Sequence, residues 1–331
     1  MKKRFGLLFS IILIFSVILA ACAPEAAPEP TEVIIEPTDV PPTDVPTEVS
    51  EPVPAVVAAD DLGFEIVLDE PAQAVISISP NLTEILYAVG AGESLIGRDS
   101  NSMYPEEAQA AVDLGGMWDG IPVEDILAME PDLILAGEIF SAEAVNELRD
   151  LGLNVYWQAN PDDFEGLYDN IRDIAGLVGT EDQAEILIES LSGRVAALDE
   201  KLTGIEESPL VFYELDASEP ANPWTTGAGT FISYVINKAK AINLGDALEG
   251  EWVQVSSEEL VAKNPDVILL SDALYGVTVE SVAERAGWSE IKAVVEGNVY
   301  PFDPFILSVP GPRLVEGFEQ VVELLYPDLA E

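Results

Sequence analysis

The chain has 331 residues, nearly half of them apolar, with 61 acids against 14 bases and no histidine, which leaves room for one large domain or two lobes around a sizeable core. A net charge of −47 excludes a phosphate-tracking nucleic-acid surface. The missing histidine removes histidine-based triads and histidine-ligated zinc or haem iron, while carboxylate sites for hard cations stay open.

Residues 1–22 carry the pattern of an export signal. Lys2, Lys3 and Arg4 precede an apolar stretch from Leu7 to Ala20, and small residues then lead to Cys22, the only cysteine. The stretch is too short for a convincing membrane span. Leu19-Ala20-Ala21-Cys22 resembles the bacterial lipobox, in which the cysteine becomes the lipidated first residue of the mature protein. A lone exported cysteine forms no internal disulfide. Residues 23–58 are mainly Pro, Thr, Glu, Asp, Ala and Val without Lys or Arg, and Pro30-Thr31-Glu32-Val33 recurs with Asp or Glu at 37–40, 42–45 and 46–49. Proline stiffens such a segment and like charges extend it, so a disordered tether is expected. The protein is therefore expected outside the cytoplasm, anchored to the cell membrane.

From residue 59 the pattern becomes that of a folded protein. Gly63 to Leu68 and Ala74 to Ser79 read as strands, and Ile85, Leu86, Ala88 and Val89 mark a helix that ends at Gly90-Ala91-Gly92. Leu95 to Gly97 is extended, Tyr104 to Ala108 opens a further helix, Ser141 to Leu151 is helical and Asn154 to Trp157 is a strand. Alternating strands and helices indicate an α/β fold with mainly parallel sheets.

The stretch Met117 to Leu135 occurs twice. Its second copy is Glu251 to Leu269, and with no gap Trp118 superposes on Trp252, Glu124 on Glu258, and Pro131-Asp132 on Pro265-Asp266. Each copy reads as a loop carrying an indole, a short helix with acids in its first turn, and a buried strand after a proline. Two distant copies suggest two similar lobes; a solenoid needs more repeats at a shorter period.

Between the lobes, Tyr168 to Ile205 is helical in pattern and broken only near Gly179. Thr180 with Gln183 suggests a capping box, and one helix over residues 180–206, at about 1.5 Å per residue, is long enough to span both lobes. The expected architecture is an N-terminal lobe at 59–179, the spanning helix, and a C-terminal lobe at 207–331, with a ligand cleft between lobes. Thr226-Gly227-Ala228-Gly229-Thr230 lacks the Lys and spacing of a phosphate loop and reads as a turn into a helix from Phe231. No enzyme motif is found, and catalysis is not expected.

The segments Ile76-Ser77-Ile78-Ser79-Pro80-Asn81-Leu82-Thr83-Glu84, Tyr104-Pro105-Glu106-Glu107-Ala108, Tyr213-Glu214-Leu215, Pro223-Trp224-Thr225-Thr226-Gly227 and Pro310-Gly311-Pro312-Arg313-Leu314, with both repeat copies, resemble the cobalamin and iron-siderophore periplasmic-binding proteins. These are helical-backbone substrate-binding subunits of ABC importers, and the likeness runs from Gly63 to the C-terminus. The resemblance implies two α/β lobes joined by one long helix with ligand between them. It implies that Trp118, Trp224 and Trp252 face the ligand. It also implies that Glu124 and Glu258, one per lobe, meet arginines of the permease.

The cargo is less defined. In the loop before the last helix, Phe305 and Val309 stand where cobalamin binders carry polar contacts, and Asn101 stands for a tyrosine. Arg98 and Arg313 are the only plausible basic groups for an anionic ferric siderophore, with a structural anchor an equal reading of Arg313, and haem would need a tyrosine such as Tyr104 or Tyr213. An apolar, aromatic, weakly charged cleft favours a large near-neutral metal chelate, with a corrinoid ahead of a ferric siderophore or haem. The expectation is a monomer with no cofactor or metal of its own, delivering this cargo to an ABC permease. The alternatives are an exported enzyme on the same scaffold and a surface scaffold lipoprotein with a closed cleft.

Overall fold

A computed structural model describes residues 55–117 and 120–329. Cys22, the tether up to residue 54 and Trp118 therefore lie outside the described residues. A short antiparallel pair, β1 (Val56–Ala59) and β2 (Glu65–Leu68), opens the described residues, so 56–58, expected in the disordered tether, are instead a strand held by its pairing with β2. Then follow β3 (Val75–Ser77), α1 (Pro80–Ala88), β4 (Leu95–Arg98), β5 (Val112–Asp113), α2 (Val123–Ala128), β6 (Leu133–Gly137), α3 (Ala142–Asp150), β7 (Val155–Gln158) and α4 (Phe164–Val178). The five strands from β3 to β7 form one parallel sheet in the order β5-β4-β3-β6-β7. Central strand β6 is buried along its whole length, as a parallel strand covered on both faces must be.

The second half begins after α5 (Glu181–Leu202) and contains β8 (Leu210–Glu214), β9 (Trp224–Thr226), α6 (Phe231–Lys238), β10 (Ile242–Asn243), β11 (Trp252–Gln254), α7 (Ser257–Lys263), β12 (Val267–Leu270), α8 (Val279–Ala283), α9 (Lys292–Glu296), β13 (Val299–Pro301) and α10 (Leu314–Leu325). Its main sheet is again parallel, in the order β10-β8-β12-β13, while β9 and β11 pair as an antiparallel ribbon. The two repeat copies supply equivalent parts, α2 with β6 and α7 with β12.

Helix α5 is the long connector expected from the sequence. Its 22 residues span roughly 33 Å. The capping box does not form: Thr180 is the N-cap, but its hydroxyl is buried without a partner and Gln183 N–H donates to the Thr180 carbonyl. The helix expected after Tyr104 is a short 3-10 turn at Glu106–Ala110. A continuous apolar core joins Leu82 and Ile85 of α1, Ile171 of α4, Leu191 of α5, Val235 of α6 and Phe318 of α10. Two smaller cores fill the other faces of the sheets, one around Ile134 and Val145, the other around Phe212, Ile268 and Trp288. The lobes thus share apolar packing on their helical side.

Candidate functional site

In the first sheet, β4 and β5 extend to one side of β3 and β6 to the other, so the chain reverses direction between β3 and β6. Loops leaving the carboxyl ends of strands at such a point diverge and leave a crevice. A deep cleft occupies that place. Ile78 to Asn81 follow β3, Asp99 and Asn101 follow β4, Glu138 to Phe140 follow β6, and Ala159 to Asp162 follow β7. The opposite wall comes from Gly229 to Phe231 at the start of α6, Glu251 and Trp252, and the loop Ser308 to Pro310. Its volume is about 760 Å³, in the range of small-molecule sites.

Trp252 lines this cleft with 47% of its surface exposed, its ring edge-on to buried Phe231 at 6.1 Å. Both Trp252 and Trp224 sit on strands of the ribbon rather than in loops, the alternative expected from sequence, because β9 and β11 hydrogen-bond to each other. Close packing fixes that ribbon. Gly245 lies against the Thr226 carbonyl so tightly that any Cβ would collide with it. Trp224 is 41% exposed but lies off the cleft lining, as do Tyr104 and Phe305. Asn101 lines the cleft and is exposed.

Neither candidate arginine is free. Arg98 is buried, donates to the Asp99 carbonyl and faces Asp113 at 3.5 Å. Arg313 donates to both carboxylate oxygens of Glu84, with Nη2 to Oε1 at 2.5 Å, and lies 4.0 Å over the Tyr104 ring. Burial pushes Glu84 up to about 7 against the opposing pull of Arg313. Glu214 is in the same position with Arg285, burial again carrying it up to about 7. Both carboxylates stand off the cleft lining, each committed to its arginine, so neither makes a free acid–base pair within it.

Among the described residues, the charged ones that face the cleft are Asp99, Glu138, Asp162 and Glu251, and no Lys or Arg lines it. Burial raises Asp99, whose carboxylate accepts from the Asn101 N–H and the Ser102 hydroxyl. Glu138 accepts from the Asn160 N–H at 2.9 Å. Sequence reasoning passed over these four acids. Three of them follow strand ends, where the topology alone gathers them; Glu251 alone had a signal, as the neighbour of Trp252. Among the described residues no cluster of acidic side chains is arranged to hold a metal ion.

The two tyrosines open to a haem-iron role are also away from the cleft. Tyr104 sits beneath Arg313, and Tyr213 is fully buried against Phe302, with its phenol pushed up to about 12 by that burial. Glu124 and Glu258 occupy the first turns of α2 and α7 and are both exposed. A second groove, between Asn222, Val261, Glu284 and Gly287, runs beside Glu258.

The family described as periplasmic binding protein matches residues 75–304. An uncharacterized ABC transporter substrate-binding lipoprotein, YvrC of Bacillus subtilis, is 33% identical over 99% of both chains. The vitamin B12-binding protein of Salmonella choleraesuis is 32% identical over 77% of this chain and 90% of its own. Among solved structures, the periplasmic vitamin B12 binding protein BtuF of Vibrio cholerae superposes with a TM-score of 0.68 at 26% identity, covering 79% of this chain and 99% of that one. The superposition shows that this chain has the fold of that solved structure over nearly its whole length. The chain belongs to the periplasmic binding protein family, the substrate-binding proteins of ABC transporters.

Proposed function

We propose that the protein is a lipid-anchored receptor that captures a corrinoid in the interlobe cleft and hands it to an ABC permease. The observation that carries this reading is the open cleft of about 760 Å³, with an exposed indole on its wall and, among the described residues, no basic side chain on its lining. A large planar chelate gains from aromatic contact and from wide burial between lobes. A siderophore or haem with several negative charges finds no guanidinium to pair with, since Arg98 and Arg313 are both occupied. The vitamin B12-binding relatives support the same class. Trp118 is proposed on the opposite wall as the repeat mate of Trp252.

Delivery is assigned to Glu124 and Glu258. One exposed acid per lobe lets a symmetric basic partner sense lobe spacing, because charge complementarity steers and registers docking. Cys22 supplies the lipid anchor, and residues 23–54 the tether, which ends before β1. An open cleft with a half-exposed Trp252 disfavours the closed-scaffold alternative. The enzyme alternative lacks an available pair of perturbed carboxylates in the cleft.

The test is a tryptophan-fluorescence titration with cyanocobalamin, haemin and a set of ferric siderophores, corrected for absorbance by the ligand. Saturable one-to-one binding of cyanocobalamin is expected. Tighter binding of haemin or an anionic siderophore would overturn the corrinoid assignment.

A further inference from the structure

Two features of the cleft bear on which periphery a ligand must carry. First, its four facing charges, Asp99, Glu138, Asp162 and Glu251, are all negative. Arg98 donates to the Asp99 backbone carbonyl at 2.8 Å, but its ion pair is with Asp113, off the cleft lining. Second, the cleft wall includes the amino ends of two helices. Pro80 and Asn81 begin α1, and Gly229, Thr230 and Phe231 lead into α6. Backbone N–H groups there offer partial positive charge and hydrogen bonds to acceptors.

An independent feature concerns Asn81. It lines the cleft and is only 5% exposed, and its side-chain Nδ2 is buried without any hydrogen-bond partner. A buried amide left unpaired is costly, because it has given up its hydrogen bonds to water without replacement. An incoming acceptor, reached through a small rotation of that amide, relieves the cost.

We propose that the cleft selects ligands by the charge of their periphery: it admits neutral or cationic chelates decorated with uncharged acceptors such as carboxamides, and rejects those decorated with carboxylates. The four acids supply the discrimination, and Asn81 is a binding residue that donates to one such acceptor. A carboxylate would accept equally well from Asn81 and the helix ends. It would then sit among the four acids in a cleft where water is partly displaced and repulsion is weakly screened. A carboxamide takes the same donors without that repulsion. The proposal rests on the cleft being the ligand site, and it does not require the ligand to be a corrinoid.

The experiment is equilibrium dialysis of the full chain in lipid nanodiscs against two corrinoids of similar size and one unrelated chelate. Dicyanocobinamide carries a carboxamide rim and dicyanocobyrinic acid seven carboxylates. The third is the cationic ferrioxamine B. Cobinamide is expected to bind at least about thirtyfold more tightly than cobyrinic acid at low salt. That ratio should shrink several-fold in the double variant Glu138→Gln/Glu251→Gln and in high salt. Asn81→Ala should weaken cobinamide by about tenfold, and Asn81→Asp by more, with the melting temperature checked for each. Binding of cobyrinic acid as tight as that of cobinamide overturns the charge rule while leaving the corrinoid reading intact. Binding of ferrioxamine B alone removes the corrinoid reading and keeps the charge rule. Silence of all three overturns both.

Discussion

Arg313 and Glu84, 229 positions apart, hold the two lobes together at one point: the guanidinium that begins α10 grips the carboxylate on α1 through both oxygens. The contact is nearly dry, with side-chain exposures of 16% and 3%. It also sets the position of the Ser308 to Pro310 loop, which lies a few residues before Arg313 and lines the cleft. Burying two charges gives little net stability, but removing one partner strands the other. Glu84→Ala should therefore cost about 3 kcal/mol in chemical denaturation, and Glu84→Leu/Arg313→Met should recover much of that loss. A single variant as stable as the parent would show that the pair is not formed.

The pH dependence of stability follows from the same buried acids. Glu84 and Glu214 each bind a proton more tightly when folded, at about 7, than at the ordinary value of 4.5. Between those values the folded state holds more protons than the unfolded state, so stability falls as pH rises from about 4.5 to 7. Carboxyls held below their ordinary value, such as Asp113 and Asp266, lose their contribution only at lower pH, outside this window. Repulsion within a chain of charge −47 acts in the same direction. The melting temperature should be higher near pH 5 than near pH 7.5 at constant ionic strength, with a flatter slope in Glu84→Gln and Glu214→Gln. A melting temperature that rises across this window would contradict the assignment.

The ribbon that carries Trp252 should be sensitive to one methyl group. Gly245→Ala places a Cβ against the Thr226 carbonyl, and Thr226 pairs with Trp252 across the ribbon. Overpacking of this kind costs about 1–3 kcal/mol. The variant should lose that much stability and also bind ligand more weakly, because the ribbon must shift. Unchanged affinity with lowered stability would uncouple the ribbon from the site.

Charge reversal at Glu124 and Glu258, the proposed docking acids, should separate binding from delivery. Glu124→Lys and Glu258→Lys lie on exposed first turns, and surface changes of this type move stability by less than about 0.5 kcal/mol. Ligand affinity should stay within twofold, while ligand-dependent ATPase stimulation of the permease in proteoliposomes drops about tenfold or more. Full stimulation by both variants would remove Glu124 and Glu258 from the docking surface.

Much of the architecture was legible because it rests on local patterns. The doubled stretch Met117 to Leu135 and Glu251 to Leu269 announced two lobes, and its helix and strand appear in both. The long helix followed from apolar spacing after Gly179, whose left-handed φ of 73° ends α4. What escaped depends on partners distant in sequence. Arg98 was read as a candidate ligand contact, and the choice for Arg313 between ligand contact and structural anchor stayed open, because nothing in a sequence shows that Asp113 and Glu84 reach them. The β9–β11 ribbon was invisible because each strand is three residues long and needs the other to exist. Glu138 and Asp162 gained meaning only when the strand order brought their loops to one crevice.

The central claim is that ligand is held in the cleft beside Trp252, and calorimetric titration of cyanocobalamin into the parent chain, Trp252→Ala and a distant surface control, Tyr275→Ala, tests it most directly. Tyr275 is 77% exposed and lies off the cleft lining. The expected result is one-to-one binding by the parent and the control, with affinity reduced about tenfold or more in Trp252→Ala, which corresponds to about 1.4 kcal/mol or more. Equal affinity in all three proteins would contradict the account, because it would place the ligand somewhere other than this cleft.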